Sequence, residues 1–120
     1  MTNNIKSFRD LEIWKKGTGI LKEIYSITKM FPKEELYGLT SQMRRAVVSI
    51  TSNISEGYGR KHIPEYKQFL NIAVGSCSEL ENQVEIAGIL NYIDNIKKEE
   101  LTDEINHIKH MILKFSRSLR

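Results

Sequence analysis

Apolar residues return every three or four positions in four separate stretches of this chain, and nowhere do they alternate with period two for long enough to make a strand. Each stretch is therefore one face of a helix. In the first, residues 8–29, Leu11, Trp14, Thr18, Leu21, Tyr25 and Thr28 form one line, and Ile13, Gly17, Ile20, Ile24, Ile27 and Phe31 form a second beside it. That double line predicts an apolar surface wider than one seam needs, with the surplus free to recruit further copies of the chain. Ser7 and Asp10 have the spacing of a capping box ahead of it. Pro32 disfavours helical geometry at Phe31 and ends the first helix. The second, residues 39–57, carries Leu39, Met43, Ala46, Val47, Ile50 and Ile54, and Gly57 and Gly59 close it. Pro64 suits the first turn of the third, residues 64–91, which carries Phe69, Ile72, Ala73, Ser76, Leu80, Val84, Ala87 and Leu90. The fourth, residues 98–119, presents Leu101, Ile105, Ile108, Ile112, Phe115 and Leu119. Short joints between long helices predict an all-α, antiparallel, up-down-up-down four-helix bundle, with residues 1–120 as a single domain.

Composition fits that reading: 40% hydrophobic and 28% charged residues describe a globular chain. No apolar run approaches the roughly 20 residues that span a bilayer. The first residues are polar and soon mixed with Lys6, Arg9 and Asp10, so no leader and no membrane contact are expected and a cytoplasmic protein is. Cys77 is the sole cysteine and lies among Ala73, Val74, Gly75 and Ser76, which predicts a buried small side chain and excludes an intramolecular disulfide. The net charge of +3 hides an uneven distribution: residues 1–62 and 107–120 are basic, while residues 63–106 are acidic.

A polar line runs beside the apolar one on the middle helices: Gln42, Arg45, Ser49, Asn53 and Glu56 on the second, Ser76, Glu79 and Gln83 on the third. Mirror counting from the turn between them sets Arg45 opposite Cys77 and within a turn of Ser76 and Glu79. A charge pair of Arg45 with Glu79, supported by Gln42 and Gln83, is expected there. It reads as a device that fixes helix register; the alternative is that it lines a groove in an oligomer. Glu104-Ile105-Asn106-His107 has the E-x-x-H spacing of bundle metal sites, but a complete site needs a second such motif and two more glutamates. Glu104 and His107 are expected as solvated side chains; a bundle metalloprotein stays as a third reading. No metal or other cofactor is expected, and no phosphate-binding, dinucleotide or nucleophile-elbow motif occurs, so no catalytic residue is assigned.

Basic clusters offer more. Arg60, Lys61 and His62 stand beside Tyr58 and Tyr66, which makes stacking and phosphate neutralisation available in one turn. Lys109, Lys114, Arg117 and Arg120 follow Glu104 with no acidic residue among them. Arg60, Lys61, Lys109, Lys114, Arg117 and Arg120 are therefore the candidate nucleic-acid contacts. No helix-turn-helix or RNA-binding sheet signature is present.

The blocks Phe8-x2-Leu11-x2-Trp14, Phe31-Pro32-x2-Glu35-x-Tyr37-Gly38-Leu39, Gln42-x-Arg44-Arg45-Ala46-x2-Ser49-Ile50, Asn53-Ile54-x-Glu56-Gly57 and Gly75-Ser76-x2-Glu79-Leu80 resemble the four-helix-bundle proteins encoded in 23S ribosomal RNA intervening sequences. Thr51 and Ser55 depart from that pattern, where proline and alanine are usual, and Thr51 should leave the second helix straighter. The resemblance implies a homopentamer. It also implies kinship with the accessory variability determinants of diversity-generating retroelements, which bind nucleic acid and cooperate with a reverse transcriptase. Arg44, Arg45, Asn53, Glu56, Gly57, Ser76 and Glu79 fall on its motif positions, as structural residues. The function expected is a non-catalytic, oligomeric, nucleic-acid-associated module with RNA favoured over DNA. The alternative is an assembly scaffold whose charges serve subunit contacts only.

Overall fold

A computed structural model describes residues 4–120 of the chain. Four helices follow one another: α1 Glu12–Thr28, α2 Leu39–Tyr58, α3 Ile63–Ile89 and α4 Asn95–Ser118. Two 3-10 turns, Phe8–Asp10 and Lys33–Glu35, sit ahead of α1 and α2. Each helix packs on its neighbours in sequence and α4 closes against α1, while the diagonal pairs do not meet. The result is the antiparallel up-down-up-down bundle, an object of 46 × 25 × 20 Å. α3, with 27 residues, runs nearly its full length at about 1.5 Å per residue.

Three element boundaries differ from the sequence reading by two residues or more, each for a local reason. The first helix does not start at residue 8. The Ser7–Asp10 capping box forms, with Asp10 Oδ2 accepting from the Lys6 and Ser7 amides at 2.8 and 3.1 Å, but it closes a single 3-10 turn. Leu11 is then extended (φ −71°, ψ 132°) and buried, and α1 begins after it. α3 stops at Ile89 because Asn91 takes the left-handed conformation (φ 62°). The Tyr92 amide donates to Ala87 O and the Asn91 amide to Gly88 O, a Schellman cap in which asparagine stands where glycine is commoner. α4 starts three residues early because Asp94 caps it, accepting from the Lys97 amide at 2.8 Å.

One hydrophobic cluster runs through the bundle, including Ile20, Ile24, Met43, Ile50, Ile54, Leu70, Leu80, Leu101, Ile105, Ile108 and Ile112, all at most 1% exposed. Cys77 lies within it, and burial pushes its thiol pKa up to about 12. On α1 the second apolar line faces this core, while Trp14, Leu21 and Tyr25 pack half-buried along its edge. Part of the apolar surface of the first helix is thus covered within the subunit, and Trp14, Leu21 and Tyr25 keep the rest partly exposed. The large exposed apolar side chains lie elsewhere: Val48 on α2, Ile72 on α3, and Met30, Leu36, Tyr37, Ile89, Leu90 and Ile96 around the first and third joints.

Two glycines let helices approach closely. A Cβ on Gly17 would stand 2.9 Å from Thr51 Cγ2, and one on Gly57 would stand 2.8 Å from Tyr66 Cδ1 and 3.1 Å from Phe69 Cβ. Gly57 therefore seats the start of α3 on the end of α2. Thr51 fills the space beside Gly17, and α2 runs unbroken through it. At the other end of α1, Thr28 Oγ1 donates to Ile24 O at 2.7 Å and accepts from Arg44 Nε at 2.9 Å. The Arg44 guanidinium also lies over the Tyr25 ring at 4.6 Å, so a cation sits at the negative end of the α1 dipole. Arg44 is a structural residue.

Candidate nucleic-acid interface

Alternation of direction puts the start of α1, the α2–α3 turn and the end of α4 at one pole of the bundle. Residues remote in sequence line a single cleft there: Ile5, Leu11, Ile13, Tyr58, Phe115 and Leu119, with Tyr66, Ser118, Asp10 and Glu12. Basic residues from three distant segments of the chain thereby share this pole. Lys6 and Arg9 come from the chain start, Arg60 and Lys61 from the turn, and Lys114, Arg117 and Arg120 from α4 and its end.

Not all of these cations are available. Arg60 lies 3.5 Å from Glu56 and stacks over the Phe69 ring at 4.7 Å. Arg9 covers the Phe8 ring at 4.5 Å. Among the described residues no carboxylate lies within 4 Å of Lys61, Arg117 or Arg120, and all three are exposed. Lys114 is exposed on the flank of the pole, beside Glu12, Ile13 and Phe115. Lys109 stands apart: it is set nine residues before the end of α4, roughly 14 Å back along the helix, and it pairs with Glu81 of α3 at 3.7 Å. The geometry thus brings Arg60, Lys61, Lys114, Arg117 and Arg120 together and leaves Lys109 on the α3–α4 seam. Charge clustering along the sequence does not single out Lys6 and Arg9, although antiparallel topology alone sets them at the same pole as the 58–62 turn.

The floor of the cleft is aromatic. Tyr66 is 7% exposed and meets Phe115 edge-on at 5.9 Å between ring centres. Its hydroxyl is shielded from water and has no hydrogen-bond partner among the described residues. Burial, then the neighbouring Tyr58, pushes its pKa up to about 12, so it remains a neutral donor at any ordinary pH.

The polar line of α2 and α3 does not form one network. Ser49 and Ser76 hydroxyls bond across the helices at 2.7 Å, and Asn53 Nδ2 donates to Ser49 O and Oγ at 2.8 and 3.1 Å. Gln42, Arg45 and Glu79 instead line an open cleft with Tyr37, Ser41, Ala46 and Ser49. The charge pair expected between Arg45 and Glu79 is not formed; among the described residues neither has an ion-pair partner. Both are exposed, so water supplies what a partner would. Gln83 is separate again, 4% exposed, with Oε1 lacking any partner among the described residues. Glu56 turns to Arg60 and lies outside the serine network.

Glu104 also departs from expectation. It is half-buried, with Oε1 fully shielded and without a donor among the hydrogen bonds of the described residues. The Glu23 carboxyl faces it from α1. Hydrogen bonding to Glu104, then burial and the repulsion between the two charges, raises the Glu23 pKa to about 7, against the opposing pull of Lys97 and Lys16. When Glu23 is protonated, its O–H can supply the donor that Glu104 Oε1 lacks. His107 is exposed, and among the described residues no three His, Cys, Asp or Glu side chains converge as metal ligands. Nor is any described helix long and apolar enough to cross a membrane.

With that geometry in place, comparison with known proteins gives two findings. A family model described as 23S rRNA-intervening sequence protein matches residues 9–114. Among solved structures, a crystal structure from Bacteroides thetaiotaomicron, of a protein with unknown function from the S23 ribosomal protein family, superposes with a TM-score of 0.81. The two chains are 20% identical over 88% of this chain and 96% of the other, a likeness that concerns the fold. No curated protein matches the chain.

Proposed function

We propose that this chain, which belongs to the 23S rRNA-intervening sequence protein family, is a non-catalytic, oligomeric module that binds nucleic acid, RNA above DNA, through the basic pole of its bundle. The observation that carries this reading is the convergence of Lys61, Arg117 and Arg120, from two distant parts of the chain, at one end of a 46 Å bundle with no carboxylate within ion-pair distance among the described residues. Unneutralised cations held together by a fold repel one another, and a polyanion relieves that repulsion while releasing its own counterions. Absence of base-reading motifs suits recognition of backbone and unpaired bases instead of duplex sequence.

Self-association belongs to the same reading. The open cleft of Gln42, Arg45 and Glu79 and the exposed Val48 and Ile72 offer side surfaces on α2 and α3 for further copies, and a cytoplasmic setting follows from binding RNA. The scaffold alternative draws on a different observation: Met30, Leu36, Tyr37, Ile89, Leu90 and Ile96 are exposed together at the pole opposite the cations.

Titration of a single-stranded RNA at several salt concentrations separates the two. Binding through the pole requires affinity to fall by about 0.7 log units per phosphate contact for each log unit of salt. Lys61→Glu with Arg117→Glu should flatten that slope by about two contacts and leave the fold intact, while the charge-matched change Lys22→Glu with Lys29→Glu should not. Absence of RNA binding by the wild type at low salt would leave the scaffold reading.

A further inference from the structure

We propose that the groove on the α1–α2 side of the bundle takes the acidic first half of α4 from a second copy of the chain, so that copies join head to tail. The proposal deepens the self-association read above and rests on it. The groove is lined by Tyr25, Leu36, Tyr37, Arg44, Arg45 and Val48, with serine and threonine side chains between them. Tyr37 is 93% exposed, and Leu36 and Val48 are also among the large apolar side chains left in water. Two arginines line the groove and no carboxylate does, among the described residues. Arg44 is engaged by Thr28 and the Tyr25 ring. Arg45 is exposed and has no ion-pair partner among the described residues; Glu79 borders it only on the other flank of α2. Tyrosine and arginine without lysine or glutamate is the composition of a protein interface. Phosphates would answer Arg45 and leave Leu36 and Val48 in water, so the occupant brings apolar side chains together with negative charge.

The chain itself carries such a surface. Ile96, Glu99 and Asp103 recur at spacings of three and four along α4, and all three are exposed, Ile96 by 72%. Neither acid has an ion-pair partner among the described residues, while Glu100 beside them pairs with Lys97 at 3.3 Å. α2 and α4 both begin at the pole where α1 ends, and they run in the same direction. Arg45 lies six residues beyond Leu39, roughly 9 Å down α2. Glu99 and Asp103 lie four and eight residues beyond Asn95, roughly 6 and 12 Å down α4. Copies turned about an axis along the bundle keep those levels. Ile96 of one copy then stands level with Leu36 and Tyr37 of the next, and Arg45 falls between Glu99 and Asp103. Within one subunit α2 and α4 do not meet, so the two faces answer each other only between copies. Contact between two different faces is head-to-tail, and it makes a ring where the rotation closes.

The test reads the solution mass of the whole chain by sedimentation over a range of concentrations. Four forms are compared: wild type, Arg45→Glu, Glu99→Arg with Asp103→Arg, and the variant carrying all three changes. Arg45→Glu alone, or the α4 pair alone, sets like charges across the contact and should weaken association by about ten-fold or more. The triple variant, in which the charges are exchanged, should recover most of that loss. An equimolar mixture of the two defective variants should associate too, because each offers the charge that the other needs. Recovery on mixing also establishes that both are folded. A wild type that associates with a mass unmoved by either variant overturns this pairing of faces and leaves self-association standing. Losses that neither the triple variant nor the mixture repairs overturn it as well. A wild type that stays monomeric at every concentration overturns the underlying reading together with the proposal.

Discussion

The carboxylate of Glu35 ties the first joint of the bundle to the third: its Oε2 accepts the Tyr92 hydroxyl at 2.9 Å, and its Oε1 accepts the Leu39 amide at 3.0 Å. The same side chain thus caps the start of α2 and holds the loop that follows α3, while Tyr92 packs on Phe31 with ring centres 5.1 Å apart. Two residues far apart in sequence close the pole opposite the cations.

Those hydrogen bonds, first from the Leu39 amide and then from Tyr92, hold the Glu35 carboxyl below its ordinary pKa. A depressed carboxylate stabilises the fold above its unfolded value, and the stabilisation is lost as pH falls through the folded value. Glu35→Ala should therefore lower the thermal midpoint at pH 7, with the gap to wild type narrowing in acid. Tyr92→Phe should lower it less, because the cap to Leu39 survives. An equal gap at pH 7 and pH 3 would contradict this.

The Glu23–Glu104 pair has the opposite sign. Glu23 in the folded chain titrates near 7, above its ordinary 4.5, so between those values the folded state binds more protons than the unfolded one. Its contribution is fully present below about pH 4.5 and is lost as pH rises through 7. Glu23→Gln should raise the denaturation midpoint relative to wild type at pH 8.5 and gain little at pH 5. A gain independent of pH would show that the carboxyls do not share a proton.

Gln83 is buried with an unanswered acceptor. Leaving such a group unsatisfied costs about 1–3 kcal/mol, whereas an apolar side chain of similar shape carries no such cost. Gln83→Met should raise stability in urea by roughly 1 kcal/mol. Loss of stability would mean that Gln83 is answered by ordered water.

Gly57 permits the contact that seats α3 on α2. The nearest atom to an added methyl is an aromatic carbon of buried Tyr66, which has little room to move. Gly57→Ala should cost about 1–3 kcal/mol in urea unfolding, the scale of overpacking. Gly75→Ala, in the same bundle but with open space around the site, should cost nothing or stabilise α3.

The four helices were legible because burial of one face imposes a period on the chain, and that period survives whatever the joints do. Even so, Leu101, Ile105, Ile108 and Ile112 announce a core stripe more clearly than the start of α4, where no apolar period marks the Asp94 cap. The double apolar line of α1 shows the limit of periodicity. It records that Trp14, Leu21 and Tyr25 avoid water to some degree, not whether a neighbouring helix or another subunit covers them.

Charged residues were legible as types and not as partners. Lys109 and Arg117 belong to one basic tail in the sequence, yet the first meets Glu81 on α3 and the second meets no carboxylate among the described residues. Arg45 and Glu79 carry the opposite lesson: helical counting set them within reach, and the fold leaves both in water.

What the sequence determined by itself was the set of helices, their order and their inward faces, because these follow from local spacing and from Gly, Pro and capping residues acting within a turn or two. What only the tertiary structure decided was which distant residues became neighbours: the gathering of Lys6, Lys61 and Arg117 at one pole, the bond from Tyr92 to Glu35, and the approach of Glu23 to Glu104. Such meetings depend on the rotation and offset of each helix against the next, which a few close contacts such as Gly57 on Tyr66 fix, and no periodicity along a single chain encodes them.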